Sequence, residues 1–219
     1  MYTDPCGSDF HFASSEQKQS LLVKRRKHKI KKMKKTIALF VSVFMITNVI
    51  AQVRMNADIE KTTLRWLGER VIGQEAGTIR LNDGWLEWRD NKIVSGEFTI
   101  DMTTIKDSKA NAKLEGHLKS DDFFGVEKFP TSKLIITGSE SFERGYAPVR
   151  GNLTIKGITN PIEFKAVMQK KEEGTRFYAN VIFDRAKYNV RYGSGTFFDN
   201  LGDRTIFDEI KVIVDLLVR

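Results

Sequence analysis

Apolar and polar residues alternate along much of the chain, most clearly over residues 149–169. In residues 149–156 and again in 162–169, apolar side chains occupy one face and polar side chains occupy the other. This period of two predicts strands that are half buried in an antiparallel sheet. Between them, Gly157 tolerates a positive φ and Pro161 restricts the residue before it, which predicts a tight connection. Because two such strands cannot bury their apolar face alone, they indicate a larger sheet.

The same alternation recurs in shorter segments over the remainder of residues 52–219. These segments lie at residues 59–67, 78–81, 84–88, 93–101, 133–137, 176–184 and 206–218. Asp90 and Asn91 separate two of them and favour a hairpin turn. Together with the pair described above, this makes about eight or nine strands at regular spacing, a pattern typical of a β-sandwich or a closed barrel.

One segment, residues 107–120, follows a helical period instead of a strand period. The apolar residues that recur there at every fourth position are Ala110, Leu114 and Leu118. Asp107 and Ser108 precede them as candidate N-cap residues, so the segment predicts one short amphipathic helix inserted into an all-β pattern. An aromatic-rich connection, residues 120–130, follows the predicted helix.

The positive charge of the chain is concentrated in its first 51 residues. Ten of the 36 Lys and Arg residues lie there, but only three of the 28 acidic residues do. Residues 52–219 therefore hold 26 basic and 25 acidic residues. Nucleic-acid binding depends on a strong excess of positive charge, so no nucleic-acid partner is predicted.

An uncharged, largely apolar stretch follows the basic run and indicates an export signal. Lys34 and Lys35 precede it, and the small residue Ala51 before Gln52 fits the rule for signal-peptide cleavage. A transmembrane helix is the alternative interpretation. The stretch, residues 36–53, is at the short limit for a membrane span and contains several polar residues, which favours the signal peptide.

This interpretation divides the chain into three parts. Residues 1–32 are predicted to be an upstream extension without regular structure, residues 33–51 a signal peptide, and residues 52–219 one folded domain. The protein is expected to be periplasmic or secreted after cleavage near Ala51. The single cysteine, Cys6, precedes the predicted cleavage site, so the exported domain is expected to be stable without a disulfide.

Candidate catalytic residues are few in residues 52–219. His117 is the only histidine there and no cysteine is present, so neither a metal site built on His and Cys nor a thiol nucleophile is predicted. Asp121 and Asp122, which follow the predicted helix, are the acid/base candidates that could act with it. A half-buried helix histidine with a local hydrogen bond is the favoured interpretation, because a catalytic triad requires several groups to converge. No catalytic residue is therefore assigned.

Aromatic residues outside the alternating faces are numerous. They are Phe123, Phe124, Phe129, Tyr188, Tyr192, Phe197 and Phe198. Such residues either close the ends of a barrel or line the mouth of a cavity, since small barrels can hold one ligand inside. Arg185, Lys187 and Arg191 lie near these aromatic residues in sequence and are candidates to contact a polar or anionic head group. The default interpretation is that they are ordinary solvent-exposed surface residues.

Four sequence blocks occur in a characteristic order. They read Gly-Glu-Phe-Thr-Ile-Asp at 96–101, His-Leu-Lys-Ser-Asp-Asp-Phe-Phe at 117–124 with Lys-Phe-Pro at 128–130, Gly-Asn-Leu-Thr-Ile-Lys-Gly-Ile-Thr-Asn-Pro at 151–161, and Arg-Tyr-Gly-Ser-Gly at 191–195 with Phe-Phe at 197–198. Each block alone is weak. Together they resemble the YceI-like family of exported, lipocalin-like proteins, also described as polyisoprenoid-binding, over residues 59–218.

The resemblance implies a fold and a ligand class. It implies an antiparallel, lipocalin-like β-barrel of about eight strands with a helical insertion, which binds an isoprenoid such as a quinone tail or polyprenyl lipid in an apolar channel. The chain departs from many members before His117, where Glu115 and Gly116 replace an Arg-Asp pair. Any head-group role of the helix is weakened by this departure.

The alternation and the resemblance together predict which residues line the channel. The predicted lining comprises Trp66, Phe98, Ile100, Phe123, Phe124, Leu153, Ile155, Phe164, Ala166, Phe183, Tyr192 and Phe198. The predicted head-group candidates are His117, Arg185 and Arg191. No metal ligand and no cofactor is expected apart from a bound isoprenoid or other lipid.

The resulting hypothesis is an exported binding or carrier protein for an isoprenoid or a similar long-chain amphiphile, without enzymatic activity. Two alternatives stay open. One is an enzyme that acts on a lipid or its head group through His117 with Asp121 or Asp122. The other is an interaction module whose barrel is filled by its own side chains. Peripheral or transient membrane contact and a homodimer are both compatible with the sequence.

Overall fold

The computed structural model describes residues 20–32 and 52–219. Residues 20–32 form an exposed helix, α1, in one unit of the chain, Met1–Ile50. This differs from the prediction of no regular structure in residues 1–32, because the Leu, Lys and Arg residues that fill the segment favour helix. The predicted signal peptide, residues 33–51, lies outside the described residues. Within the described ranges, no helix has the length and apolar character that a membrane span requires.

The second unit, Ala51–Arg219, is built from strands. They are β1 (Val53–Asn56), β2 (Thr63–Arg70), β3 (Gln74–Arg89), β4 (Lys92–Asp107), β5 (Thr131–Ser139), β6 (Tyr146–Ile155), β7 (Ile158–Lys171), β8 (Gly174–Asp184) and β9 (Ile206–Val218). One α-helix, α2 (Ala112–Lys119), follows β4, and two short 3-10 helices (Arg185–Tyr188 and Gly202–Arg204) follow β8.

Eight of these strands close into an antiparallel barrel. Their order is β3-β2-β9-β8-β7-β6-β5-β4, and β4 pairs again with β3 to close the cycle. The short β1 pairs with the last residues of β3, which lengthens the wall at that point. The predicted fold class, an antiparallel lipocalin-like barrel of about eight strands with one short helical insertion, is confirmed.

The longest hairpin, β3–β4, joins segments that the sequence pattern separated. Residues 78–81 and 84–88 were predicted as two strands, but both belong to β3. The register of β3 against β4 shifts between Leu81 and Asp83, and such an irregularity interrupts the alternation without ending the strand. The predicted turn at Asp90 and Asn91 is present, with φ of 49° and 60°.

The β6–β7 hairpin is tighter than the sequence pattern indicated. Its turn consists of Lys156 and Gly157 alone, with φ of 50° and 74°, and β7 begins immediately afterwards. Pro161, predicted to lie in the connection, instead pairs with Asn152 inside the sheet. β8 pairs with β7 only from Ala166 onwards. At Pro161, the edge of β7 that faces β8 therefore has no backbone hydrogen bonds that a proline could interrupt.

Helix α2 begins later than predicted. The side chain of Asn111 accepts hydrogen bonds from the backbone N–H groups of Lys113 and Leu114, so Asn111 is the N-cap, rather than Asp107 or Ser108. The carboxylate of Asp107 instead accepts from the N–H groups of Lys109 and Asn111, at 3.0 Å each, and shapes the turn before the helix.

Two groups of buried side chains fill the two ends of the barrel. At one end, the rings of Trp88, Phe142 and Phe177 pack against one another with centroids 5.3–6.0 Å apart. At the other end, the buried residues come from the barrel strands, from α2 and from the loops around residues 120–130 and 185–190. Partly buried Ile79, Ile100 and Leu134 contact both groups. The space between the groups is the candidate site.

Candidate functional site

An apolar cavity of about 420 Å³ occupies the barrel interior. Every one of the eight barrel strands contributes to its wall, and most of the lining side chains are Leu, Ile, Val and Phe. The volume lies within the ~300–1,000 Å³ range of typical small-molecule sites. The cavity follows directly from strand geometry, because alternate residues of each strand point to the inside of a closed barrel.

Most residues predicted to line a channel do line this cavity. They are Trp66, Phe98, Ile100, Phe123, Phe124, Leu153, Ile155, Phe164, Ala166, Phe183 and Tyr192. Phe198, the twelfth, is outside the lining and 50% exposed. That placement corrects the prediction for Phe198, which lies in an irregular segment where no strand pattern fixes the direction of a side chain. Contact of the other eleven with a ligand stays a prediction.

The loop after α2 is held over one end of the cavity by Lys156. The ammonium group of Lys156 donates to the backbone carbonyls of Phe123 at 2.8 Å and Asp121 at 3.2 Å. Burial lowers the pKa of Lys156 from its ordinary value, and the charges of Asp121 and Asp122 partly oppose that shift. These contacts fix the loop whose aromatic side chains, Phe123 and Phe124, form part of the lining.

Trp66 has a defined position in the wall. Its indole N–H donates to the carbonyl of Lys106 at 3.2 Å. The ring lies against Gly77, where an added Cβ would come within 2.7 Å of the indole and 1.8 Å of the Lys106 carbonyl oxygen. Only glycine permits this approach, so Gly77 allows both the β3–β4 pairing and the inward face of Trp66.

Charged residues line the cavity where β2 ends and β3 begins. Arg70 and Glu75 both contribute to the lining and form an ion pair at 2.8 Å. Lys109 approaches the other oxygen of Glu75 at 3.1 Å. Arg70 and Glu75 were not among the residues predicted from the sequence to line the channel. The sequence feature that could have identified Arg70 is the alternation of β2, in which Arg70 falls on the same face as Leu64 and Trp66.

His117 is the one head-group candidate that lines the cavity. Its ring packs edge-on against Tyr192 at 4.2 Å and lies 5.8 Å from the ring of Phe123. Within the described part of the chain its ring makes no hydrogen bond, whereas the favoured interpretation expected a local one. The ring is therefore available to a ligand.

Arg185 is a structural residue instead of a head-group ligand. It is fully buried and donates to the carbonyls of Phe207, Val190, Tyr192 and Ile206 at 2.9–3.2 Å. Its guanidinium also pairs with Asp208 at 3.2 Å. Burial lowers the pKa of Arg185, and Asp208 counteracts that shift. Since its donors are occupied by these groups, the prediction of a head-group role is corrected.

Arg191 also lies away from the cavity. It is exposed, and its guanidinium stacks over the ring of Phe197 at 4.5 Å. Arg191 does not contribute to the cavity lining, so the structure does not place it with His117. The proximity of these residues in sequence was the only basis for grouping them.

The geometry offers little for catalysis or metal binding. Asp121 forms an exposed ion pair with Lys128 at 2.5 Å, and no hydrogen bond joins His117 to Asp121 or Asp122 among the described residues. In residues 20–32 and 52–219, no three His, Cys, Asp or Glu side chains are grouped closely enough to hold a metal ion. What the site provides is a largely apolar, shaped space with a few polar groups.

Solved structures with this architecture share little sequence with the chain. BcnA from Burkholderia cenocepacia superposes with a TM-score of 0.62 at 18% identity, covering 74% of this chain and 99% of that one. A polyisoprenoid binding domain from Saccharophagus degradans gives a TM-score of 0.56 at 12% identity, covering 75% and 97%. At these identities the similarity establishes the fold.

Curated relatives are similar over a shorter region. A UPF0312 protein of Pseudomonas putida is 33% identical over 90 residues, which cover 41% of this chain and 47% of that protein. A UPF0312 protein of Shewanella denitrificans is 30% identical over 84 residues, covering 38% and 44%. The chain thus spans about half the length of the curated relatives it matches.

A family model covers far more of the sequence than these pairwise matches do. The model of the YceI-like domain matches residues 29–218, which include every strand of the barrel. On this match, the chain belongs to the YceI-like family.

Proposed function

We propose that this protein binds an isoprenoid, or a similar long-chain amphiphile, inside its barrel. The single observation that carries the proposal is the continuous apolar lining of a 420 Å³ cavity by all eight barrel strands. A structural neighbour that is a polyisoprenoid binding domain supports the choice of ligand class.

Burial of apolar surface alone can supply the binding free energy at such a site, without a specific polar motif. Each CH₂ group removed from water contributes about 0.8 kcal/mol, so a five-carbon isoprene unit contributes roughly 4 kcal/mol before the costs of binding. Losses of translational freedom and of chain flexibility offset part of this gain. Shape and dryness therefore determine affinity, and the aromatic cluster of Trp88, Phe142 and Phe177 limits the depth of the site.

Binding, with no chemical transformation of the ligand, is the function that this geometry favours. The enzyme alternative requires His117 to act with Asp121 or Asp122, and those groups are not hydrogen bonded to one another in the described chain. The alternative of a barrel filled by its own side chains is disfavoured by the cavity itself.

We further propose that the protein acts after export, as a carrier or sequestering protein. The proposal is supported by the basic and then apolar composition of residues 24–50, which is typical of a signal peptide. A carrier of this kind would exchange its lipid with a membrane through peripheral or transient contact. A homodimer is compatible with the exposed outer faces of the strands.

Titration with farnesol, a C15 isoprenoid alcohol, tests ligand binding directly. Trp66 lines the cavity, whereas Trp85 and Trp88 do not. We therefore expect saturable quenching or a spectral shift of tryptophan fluorescence in lipid-free protein, with one farnesol bound per chain.

The matched control for this titration is Trp66→Phe, which retains Trp85 and Trp88. The fluorescence change should be largely lost in this variant while calorimetry still detects binding. Absence of binding to wild-type protein would contradict the proposal. An equal fluorescence change in Trp66→Phe would show that the signal comes from Trp85 or Trp88, and would contradict contact between farnesol and Trp66.

A further inference from the structure

One buried hydroxyl in the cavity wall has no partner. Ser132, in β5, is 7% exposed, lines the cavity, and its Oγ has no hydrogen-bond partner among the described residues. A hydroxyl that is buried without a hydrogen bond is unfavourable, and most buried polar groups in proteins are paired. The position of Ser132 therefore calls for a partner that enters the cavity from outside.

The side chains around Ser132 do not supply that partner. In the sheet register Ser132 lies opposite Ile100 of β4, and the pairing of Lys133 with Thr154 places Ser132 level with Ile155 of β6. The next inward-facing residue of β5 is Leu134. Each of these neighbours is aliphatic, so none of these three side chains offers the hydroxyl a hydrogen-bonding group.

The opposite wall of the barrel is also apolar. In the eight-strand cycle β5 lies across from β9. The residues that β9 contributes to the lining are Ile206, Ile210, Val212, Val214 and Leu216, which are all aliphatic. Of the charged residues in the lining, Arg70 and Glu75 are paired with one another at 2.8 Å, and Glu69 is exposed near the end of β2. The Ser132 hydroxyl is thus free to donate a hydrogen bond to, or accept one from, a polar atom of a ligand.

We propose that Ser132 is a hydrogen-bonding subsite that selects ligands carrying an oxygen atom within the barrel. This rests on the proposed function and specifies its ligand class: an isoprenoid or long-chain amphiphile whose hydroxyl or carbonyl oxygen lodges against β5 inside the cavity. The apolar remainder of the ligand then occupies the space towards Ala166 and Phe177. Ser132 binds and orients the ligand, and a pure hydrocarbon tail does not satisfy it.

Two probes with the same carbon skeleton test this subsite in the full-length, lipid-free protein. Farnesol carries a hydroxyl group, whereas farnesene is the corresponding hydrocarbon. One neutral hydrogen bond corresponds to about 3- to 10-fold in affinity. We expect Ser132→Ala to weaken farnesol binding by about that factor and to leave farnesene binding unchanged.

Thr131→Ala is the matched control, since Thr131 is the preceding residue of β5 and faces solvent. It should alter neither affinity. Ser132→Cys, of similar size but with a weakly hydrogen-bonding thiol, should weaken farnesol binding as Ser132→Ala does. Because Ser132→Ala removes an unpaired buried group, it is expected to raise the melting temperature of the lipid-free protein.

The outcomes separate this inference from the proposed function. Equal losses for farnesol and farnesene in Ser132→Ala, or no loss for either, would overturn the subsite while leaving lipid binding intact. Failure of wild-type protein to bind both probes would instead contradict the proposed function, and the subsite with it.

Discussion

Arg185→Ala is expected to lower the free energy of unfolding by about 3–5 kcal/mol, because removing one partner of a buried ion pair leaves the other charge uncompensated. Asp208 would lose its 3.2 Å contact, and the carbonyls of Val190, Tyr192 and Ile206 would lose their donor in the interior. Urea denaturation followed by circular dichroism measures the change.

Arg191→Ala is the matched control for this prediction. Arg191 is exposed and stacks over Phe197, so its removal should change the free energy of unfolding by at most about 1 kcal/mol. Arg185→Lys should fall between the two variants, because an ammonium group cannot reproduce the planar fork of five donors. Comparable losses for Arg185→Ala and Arg191→Ala would show that the buried network does not stabilise the barrel.

The second large effect is expected from filling the cavity. Ala166 is 3% exposed and lines the cavity from β7. Ala166→Phe places a ring in the space that a ligand would occupy, so we expect affinity for farnesol to fall by at least about 10-fold, the equivalent of 1.4 kcal/mol. Overpacking strain of about 1–3 kcal/mol is the expected cost in stability, so the fold should be checked by circular dichroism.

Val167→Phe provides the matched control, because Val167 follows Ala166 in β7 and is 39% exposed on the outer face. It introduces the same aromatic ring without entering the cavity and should leave farnesol affinity nearly unchanged. If Ala166→Phe retains wild-type affinity, or if Val167→Phe loses as much, the ligand does not bind where we place it.

The strand pattern predicted the barrel and most of its lining for a simple reason. In a closed barrel the side-chain period of two assigns each residue of a strand to the inside or the outside. Residues such as Phe98, Leu153 and Phe183 could therefore be selected from the sequence alone. Phe198 could not, because it lies in an irregular loop where no period applies.

Polar residues of the site were harder to predict than apolar ones. Arg70 and Ser132 occupy inward positions of β2 and β5, but a charge or hydroxyl in an alternating strand is read as a break in the pattern. Arg185 presents the converse problem. Its partners are mainly backbone carbonyls of residues 190–207, and no residue type in a sequence identifies such partners.

Strand pairing and turn hydrogen bonds explain the other differences between the predicted and observed elements. Pro161 lies inside β7 because β8 pairs with β7 only from Ala166 onwards, and the residues beside Pro161 do not show where that pairing stops. Helix α2 begins after Asn111, since the Asp107 carboxylate already accepts from the turn that precedes the helix.

The most direct test of the central claim is to identify what the protein carries in its own host. The protein would be purified without detergent, denatured in organic solvent, and the extract analysed by mass spectrometry. We predict a long-chain amphiphile that bears an oxygen atom, present at close to one molecule per chain, and strongly depleted from Ala166→Phe purified in parallel. Recovery of no amphiphile from wild-type protein, or of equal amounts from Ala166→Phe, would contradict the account.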